Sequence, residues 1–237
     1  MAQGSSIEHT LWLTKKVNEL LGLNPEPPTI PDHVVESVLV AGILVGIGLM
    51  TRRNLKIIPH RLQNVIEAAF EFIENLLTTI IGPKGPRYFP IIMTLALFIL
   101  LGNLMGLAPF CESPTSNLNV TLGCAIVIFF YYHYQGIKEQ GFRTYMKHFA
   151  GPMPALAPLL FPLEIISHFA RVMSLSVRLF GNIMGEDIII IILLMLVPYV
   201  VPVPMMMFAI FTSALQAFIF IMLSMMYLAG AVADEDH

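Results

Sequence analysis

One stretch decides the fold of this chain: ALAPLLFPLEIISHFARVMSLSVRLFGNIMGEDIIIIILLMLV, residues 155–197. It contains no strong helix breaker after Pro162. A helix of this length reaches roughly 60 Å at about 1.5 Å per residue, which is twice the usual hydrocarbon thickness of a membrane. The stretch therefore predicts a long membrane helix that tilts steeply, bends, or runs partly along the membrane plane.

The composition of the whole chain agrees with a membrane location. Of 237 residues, 56% are hydrophobic and only 12% are charged, about half the charged fraction of an ordinary soluble domain. The mean hydropathy is +0.75, and the net charge of −3 gives no indication of a nucleic-acid-binding surface. The two cysteines, Cys111 and Cys124, lack metal-ligand spacing. We expect an all-α polytopic membrane protein that holds no metal or cofactor.

Long apolar runs predict five transmembrane helices. They cover residues 34–51, 91–110, 120–137, 155–197 and 205–232. Two further segments, one before residue 24 and one at 60–81, have apolar and charged faces at helical spacing and predict amphipathic surface helices. The last two spans are both longer than a membrane requires, so we expect them to form a long, steeply tilted hairpin.

The distribution of basic residues predicts three regions and an orientation. Nine of the thirteen Lys and Arg fall on one side of the predicted spans: Arg52, Arg53, Lys56, Arg61, Lys84, Arg87, Lys138, Arg143 and Lys147. By the positive-inside rule that side is cytoplasmic. Residues 1–33 then form an extracytoplasmic N-terminal segment, 34–154 hold the first three spans with the amphipathic helix, and 155–237 hold the tilted hairpin and a cytoplasmic acidic tail.

A stripe of polar residues runs along the fourth span. Glu164, Arg171 and Arg178 are spaced by seven, Asn182 and Glu186 continue the row by fours, and His168 flanks it. The last span carries a weaker polar face of Ser213, Gln216, Ser224 and Tyr227. Ionisable residues inside a membrane typically line ion pathways. The two faces together predict a hydrated path across the membrane.

Arg178 is the residue that most needs an explanation. An arginine stays protonated in a protein, and at bilayer depth its charge costs roughly 2.5 kcal/mol at the least. We expect Arg171 to pair with Glu164 or Ser167 on its own helix. The nearest acids after Arg178, Glu186 and Asp187, lie two turns on. We therefore expect the counter-charge of Arg178 to come from another chain.

Two motifs carry a family resemblance. SLSVRLFGN (174–182), followed by acidic residues, and LQAFIFIMLSMMYL (215–228), before an acidic tail, resemble subunit a of the F-type ATP synthase membrane sector. The resemblance implies a non-catalytic stator subunit in a bacterial-type inner membrane, with two half-channels that carry protons to and from the carboxylates of a rotating c-ring. It also implies contacts with peripheral-stalk b subunits and the lipid bilayer.

The resemblance assigns roles to individual residues. It implies that Arg178 faces the c-ring and that Asn182 and Gln216 position Arg178 or its water. In this family an acid nine positions after the arginine often pairs with a histidine on the last helix; here these positions hold Asp187 and Ala209. Family spacing thus favours Asp187 for the outer half-channel.

Other positions of the path follow from topology. The stripe geometry favours Glu186 over Asp187 for the outer half-channel, so the sequence leaves that choice open. Glu164 and His168 fall in the inner half. Asn117 stands where relatives can have an aspartate, with Asn119 two residues on, so we expect both at the outer half-channel.

Two other classes of protein are compatible with buried polar residues. An ion-coupled secondary transporter usually shows an internal repeat, and the surroundings of RLFGN have no second copy. A structural membrane scaffold would explain the spans but would leave Arg178 unpaired. The choice between protons and sodium ions lies largely in the ring's own sequence.

Overall fold

The structure is a computed structural model that describes residues 12–23, 29–54, 61–108, 111–142, 144–145, 157–197 and 200–232. Within these residues the protein is helical, and the long elements are seven α-helices. They are α1 Trp12–Leu20, α2 Asp32–Asn54, α3 Arg61–Ile81, α4 Phe89–Met105, α5 Leu118–Gln140, α6 Ala157–Leu196 and α7 Pro202–Val232. The first eleven residues and the acidic tail lie outside the described part.

Five of these helices, α2, α4, α5, α6 and α7, are long and apolar enough to cross a membrane. The prediction of an all-α protein with five spans is confirmed. The second span ends at Met105, five residues earlier than expected. The chain turns there so tightly that a Cβ added at Gly106 would lie 2.8 Å from the Ser113 Cβ, and the loop folds back over the end of α4.

Helix α3 confirms the amphipathic helix predicted at 60–81. Ile73 and Leu77 are buried on one face, while Glu67, Glu71 and Glu74 are exposed. The buried face packs against α4 and α7. Because the charges line the opposite face, α3 lies on the surface of the bundle and does not cross it.

The core lies between α4, α5, α6 and α7. Its fully buried large side chains include Ile99, Tyr132, Leu179 and Phe220. Helix α6 contributes least to this core: only 11% of its spanning segment is buried, against 39% for α4 and for α5. A mostly apolar helix with so little of its surface covered needs lipid or another chain on its open side.

The two ends of the bundle differ in charge. At one end Lys84 and Arg87, just before α4, pair with Glu139 near the end of α5 at 3.4 Å and 2.6 Å. We call this end the basic side. We call the opposite end the loop side, because it carries residues 106–117 between α4 and α5 and the start of α2. Helix α6 begins at the basic side and ends at the loop side.

Candidate functional site

Arg178 lies near the middle of α6 on the open side of the helix. Its side chain is exposed, and it makes no hydrogen bond or ion pair with any residue of the described ranges. The apolar residues Val177 and Met173 beside it are about half exposed. The guanidinium is thus a permanent charge presented outward from an apolar surface.

The neighbours of Arg178 on this open face are small. Ser174 lies one turn before it and Gly181 and Asn182 one turn after it, and all three are exposed. A Cβ added at Gly181 would meet nothing within 4 Å. Small side chains let a second helix approach closely within a membrane. The face has room for a helix of another chain directly against Arg178.

A single hydrogen bond joins the two long helices beside this arginine. The Asn182 Nδ2 donates to the Gln216 Oε1 at 2.8 Å, and Gln216 is only 2% exposed. The buried amide on α7 therefore fixes the orientation of the exposed amide one turn from Arg178. Neither amide can titrate, so the pair can orient charge or water without carrying a proton.

Two residues of the polar face of α7, Ser213 and Ser224, do not line the hydrated path that the sequence predicts. Both are buried where α7 packs against α4 and α5. The carbonyl oxygen of Ser213 accepts a hydrogen bond from Asn103 Nδ2 at 3.3 Å, and the Ser224 hydroxyl donates to the Phe220 carbonyl oxygen at 2.8 Å. These serines satisfy interior contacts and line neither of the cavities described next.

A cavity of about 680 Å³ lies at the loop side, between residues 106–116 and the second half of α6. Its two acidic lining residues are Glu112 on the loop and Asp187 on α6. Cys111, Ser113 and Ser116 of the loop also line it. Met184 is its lining residue nearest in sequence to Arg178. Arg178 and Met184 are six positions apart on the helix, which is about 9 Å along its axis.

The structure separates the two adjacent acids of α6. Asp187 lines the loop-side cavity, whereas Glu186 does not. Adjacent helix positions point about 100° apart, so only one of the two acids faces the cavity. Ala209, at the position where relatives can have a histidine, is buried.

Asn117 and Asn119 lie at the start of α5. The Asn117 Oδ1 accepts the backbone N–H of Asn119 at 2.9 Å and caps the helix. The Asn117 Nδ2 lies 3.3 Å from the His33 Nδ1 on α2. Neither asparagine lines the loop-side cavity, so in this arrangement both shape the loop and its contact with α2.

A smaller cavity of about 180 Å³ lies toward the basic side, lined by Tyr132, Gln140, Tyr145, Glu164, His168, Arg171 and Tyr227 among others. The His168 Nε2 lies 3.4 Å from the Glu164 Oε1, and its Nδ1 is 2.7 Å from the Tyr132 hydroxyl. The imidazole therefore links a half-exposed carboxylate to a buried phenol. A histidine in such a chain can take up a proton at one nitrogen and release one from the other.

The structure does not form the expected pair between Arg171 and Glu164. Glu164 pairs with His168 instead, and the Arg171 guanidinium carbon lies 5.5 Å from the centre of the Tyr227 ring on α7. This distance allows a cation–π contact. Helical spacing places Arg171 and Glu164 on one stripe of α6, but it cannot predict that the Tyr227 ring of α7 contacts Arg171.

Three residues that line these cavities or support their walls were missed from the sequence. Tyr132 lies in a span rich in aromatic residues and Glu112 lies in a short loop, so neither is conspicuous in the sequence. Asn103 is a polar residue within an apolar span, and this was a usable signal. It is buried on α4, and its Oδ1 accepts a hydrogen bond from the Thr115 hydroxyl at 2.6 Å, which fixes the loop that walls the larger cavity.

The cysteines show no sign of redox or metal chemistry in their positions. Cys124 is buried in α5, and Cys111 lies at the loop-side cavity. Burial, aided by the charge of Glu36, raises the pKa of the Cys111 thiol, which keeps it protonated and unreactive at neutral pH. Among the described residues no group of three or more His, Cys, Asp or Glu is arranged to hold a metal ion.

Comparisons with known proteins agree on one family. The family model described as ATP synthase A chain matches residues 34–229. The chain is 48% identical over 202 residues to ATP synthase subunit a of Helicobacter acinonychis (strain Sheeba) and to that of Helicobacter pylori (strain P12), covering 84% of this chain and 89% of each relative. It is 46% identical over 205 residues to ATP synthase subunit a of Campylobacter jejuni, with the same coverage.

Proposed function

The chain belongs to the ATP synthase A chain family, and on that basis we propose that it is the stator subunit whose two half-channels carry protons to and from a rotating c-ring. Membership makes it a multi-pass membrane component of the Fo sector, which translocates protons during ATP synthesis. One observation carries the finer proposal. Arg178, which has no partner among the described residues, faces outward on α6 between two cavities that carry acidic side chains and lie on opposite sides of it along the helix.

Arg178 controls the charge of each ring carboxylate that reaches it. An arginine within about 4 to 6 Å favours the ionised carboxylate and lowers its pKa by roughly 1 to 3 units. A ring carboxylate that arrives protonated therefore releases its proton as it approaches Arg178. After the carboxylate has passed Arg178, it must take up a proton before it re-enters lipid, because only the neutral acid has a low free energy there.

The two cavities supply the routes for that release and uptake. On the loop side Glu112 and Asp187 form the acidic lining, and on the basic side Glu164, His168 and Tyr132 form a connected chain. Glu186, next to Asp187, lies outside this lining. The fixed charge of Arg178 stands between the routes and repels a proton that would cross directly.

This separation couples ion flow to rotation. A proton that enters on one side can leave on the other only after riding the ring through the lipid. A membrane potential biases the direction of that motion by roughly 2.3 kcal/mol per charge per 100 mV. Asn182, held by Gln216, orients the surroundings of Arg178 while the ring passes.

The partners and orientation follow from the same arrangement. The open face of α6 receives the c-ring, the peripheral-stalk b subunits bind elsewhere on the bundle, and lipid covers the rest. The basic side is cytoplasmic by the positive-inside rule, so the N-terminus lies outside and the C-terminus inside a bacterial-type inner membrane. The subunit by itself makes no ATP, because the chemistry belongs to other subunits of the complex.

Removing the charge at Arg178 tests this proposal. In inverted membrane vesicles that contain the assembled complex, Arg178→Ala is expected to abolish ATP-driven proton pumping while the subunit still assembles. Arg178→Lys is also expected to fail, since a compact ammonium does not reproduce the planar guanidinium or its reach. Lys138→Ala, which removes a cation at the basic-side end of α5, is the control and should pump normally. Normal pumping in either Arg178 variant contradicts the proposal.

A further inference from the structure

Glu36 is a buried carboxyl group that the ion path described so far does not use. It lies just over one turn into α2, at the loop side, and is only 3% exposed. It lines neither cavity. A carboxylate buried to this extent is unusual unless it is paired or serves a purpose.

The two oxygens of Glu36 have different surroundings. Oε1 accepts the backbone N–H of Glu112 at 2.8 Å, which ties α2 to the loop segment whose side chains line the loop-side cavity. Oε2 is buried and has no hydrogen-bond partner among the described residues. Oε1 therefore anchors the loop to α2, whereas Oε2 is available to bind a proton.

The described surroundings of Glu36 offer its carboxylate no counter-ion, so a proton is the species that can neutralise it. Asp32 and His33 lie on its own helix, and Glu112 and Cys111 come from the loop. Helix α4, the 114–116 turn and the first turns of α5, which also pack on α2, carry no charged residue. Helix α1 brings Lys15, Lys16 and Glu19, and Glu36 forms no ion pair with any of the described residues.

An anchor alone would not need a carboxyl group. A glutamine would offer the same oxygen to the Glu112 N–H without the cost of burying a charge, which is high for an ionised carboxylate without a counter-ion. The acid differs from the amide in one respect that matters here, because it can bind and release a proton. Its anchored partner, Glu112, faces the cavity that also holds Asp187.

We propose that Glu36 is a proton-exchanging group of the loop-side half-channel, and this rests on the proposed function of that cavity. The carboxylate takes a proton at Oε2 from water of the loop-side cavity, which Glu112 lines, to become the neutral acid, and it releases the proton to that water again. No other bond changes. Glu36 thus adds α2 to a path otherwise built from the loop and α6.

The test separates anchoring from proton exchange. Passive proton flux is measured through vesicles stripped of the catalytic sector, as a function of pH on the loop side, and is normalised to the amount of assembled complex. Glu36→Gln keeps the acceptor for the Glu112 N–H, so we expect normal assembly, a several-fold lower flux and a flatter pH dependence. Glu36→Asp keeps a carboxyl group and is expected to retain more flux than Glu36→Gln. Glu71→Gln, which neutralises an exposed acid on α3, should match the unmodified protein.

Two results would overturn the inference. Flux equal to that of the unmodified protein in Glu36→Gln at every pH would reduce Glu36 to an anchor. Flux per assembled complex no higher in Glu36→Asp than in Glu36→Gln would do the same. Both leave the proposed function standing, because that function is tested separately by ATP-driven pumping in the Arg178 variants.

Discussion

Arg178 and Asp187 lie on the same helix, but their surroundings give them different work. Arg178 faces out from an apolar surface with no partner in the described chain, so its charge is available to a passing carboxylate. Asp187 faces a cavity of about 680 Å³ that is large enough to hold water. In the proposed function, Arg178 sets the charge of the rotor carboxylate and Asp187 transfers protons to it.

At this scale the two adjacent acids provide a direct comparison. Asp187→Asn is expected to slow proton entry from the loop side by about 10²-fold, the lower range for loss of a positioned acid–base group. Glu186→Gln should have a much smaller effect, since Glu186 does not line the cavity. Proton flux through the stripped membrane sector measures both. A larger loss of proton flux in Glu186→Gln than in Asp187→Asn would show that Glu186, and not Asp187, is the relay.

The sequence could name both acids but could not choose between them. Stripe geometry favoured Glu186 because it treated α6 as an isolated helix with one polar face. The choice depends on where the 106–116 loop and α7 lie around that helix, and those are contacts distant in sequence. The same reason explains why the pairing of Arg171 with Glu164 was wrong: Tyr227 of α7 contacts the arginine.

At the scale of elements, the long hairpin depends on a close contact between α5 and α7. Gly136 on α5 is buried, and a Cβ added there would lie 2.9 Å from the carbonyl oxygen of Ala231 and 2.6 Å from the Tyr145 ring. This contact holds the end of α7 at the basic-side cavity, which Ala231 and Tyr145 also line. The glycine sets how closely the hairpin approaches the preceding spans.

Adding one methyl group at this contact tests it. Gly136→Ala is expected to destabilise the folded subunit by about 1–3 kcal/mol through overpacking, seen as a lower thermal midpoint and less assembled complex. Gly123→Ala is the matched control on the same helix, because a Cβ there meets nothing within 4 Å. It should be neutral or slightly stabilising, since alanine favours helix over glycine. Equal stability of the two variants would show that the α5–α7 approach is looser than described.

Hydropathy and helical spacing predicted most of the elements. The five spans follow from apolar runs, and the surface position of α3 follows from its three glutamates on one face. The polar face of α7 was interpreted incorrectly: Ser213 and Ser224 share a face, but α4 and α5 cover it. Periodicity shows which residues lie together on a helix, and only packing shows what lies opposite them.

At the scale of the whole molecule, the bundle leaves one helix largely uncovered and places the two cavities at opposite ends of it. On α6 the lining residues of the basic-side cavity end at Arg171 and those of the loop-side cavity begin at Met184. Arg178 lies about midway between them. A rotor that touches only this interval must collect protons from one cavity and deliver them to the other.

The central claim, that the open face of α6 around Arg178 contacts the c-ring, is tested most directly by disulfide crosslinking between α6 and a cysteine placed beside the ring carboxylate. Ser174→Cys puts the thiol on the exposed face one turn from Arg178, and Ser176→Cys, two residues on, puts it in the buried interior. We predict that Ser174→Cys crosslinks to the ring and stops ATP-driven pumping until the bond is reduced, while Ser176→Cys and the parent protein with only Cys111 and Cys124 do not. Failure of Ser174→Cys to crosslink to any ring position, with ring cysteines shown to be reactive, would contradict the account.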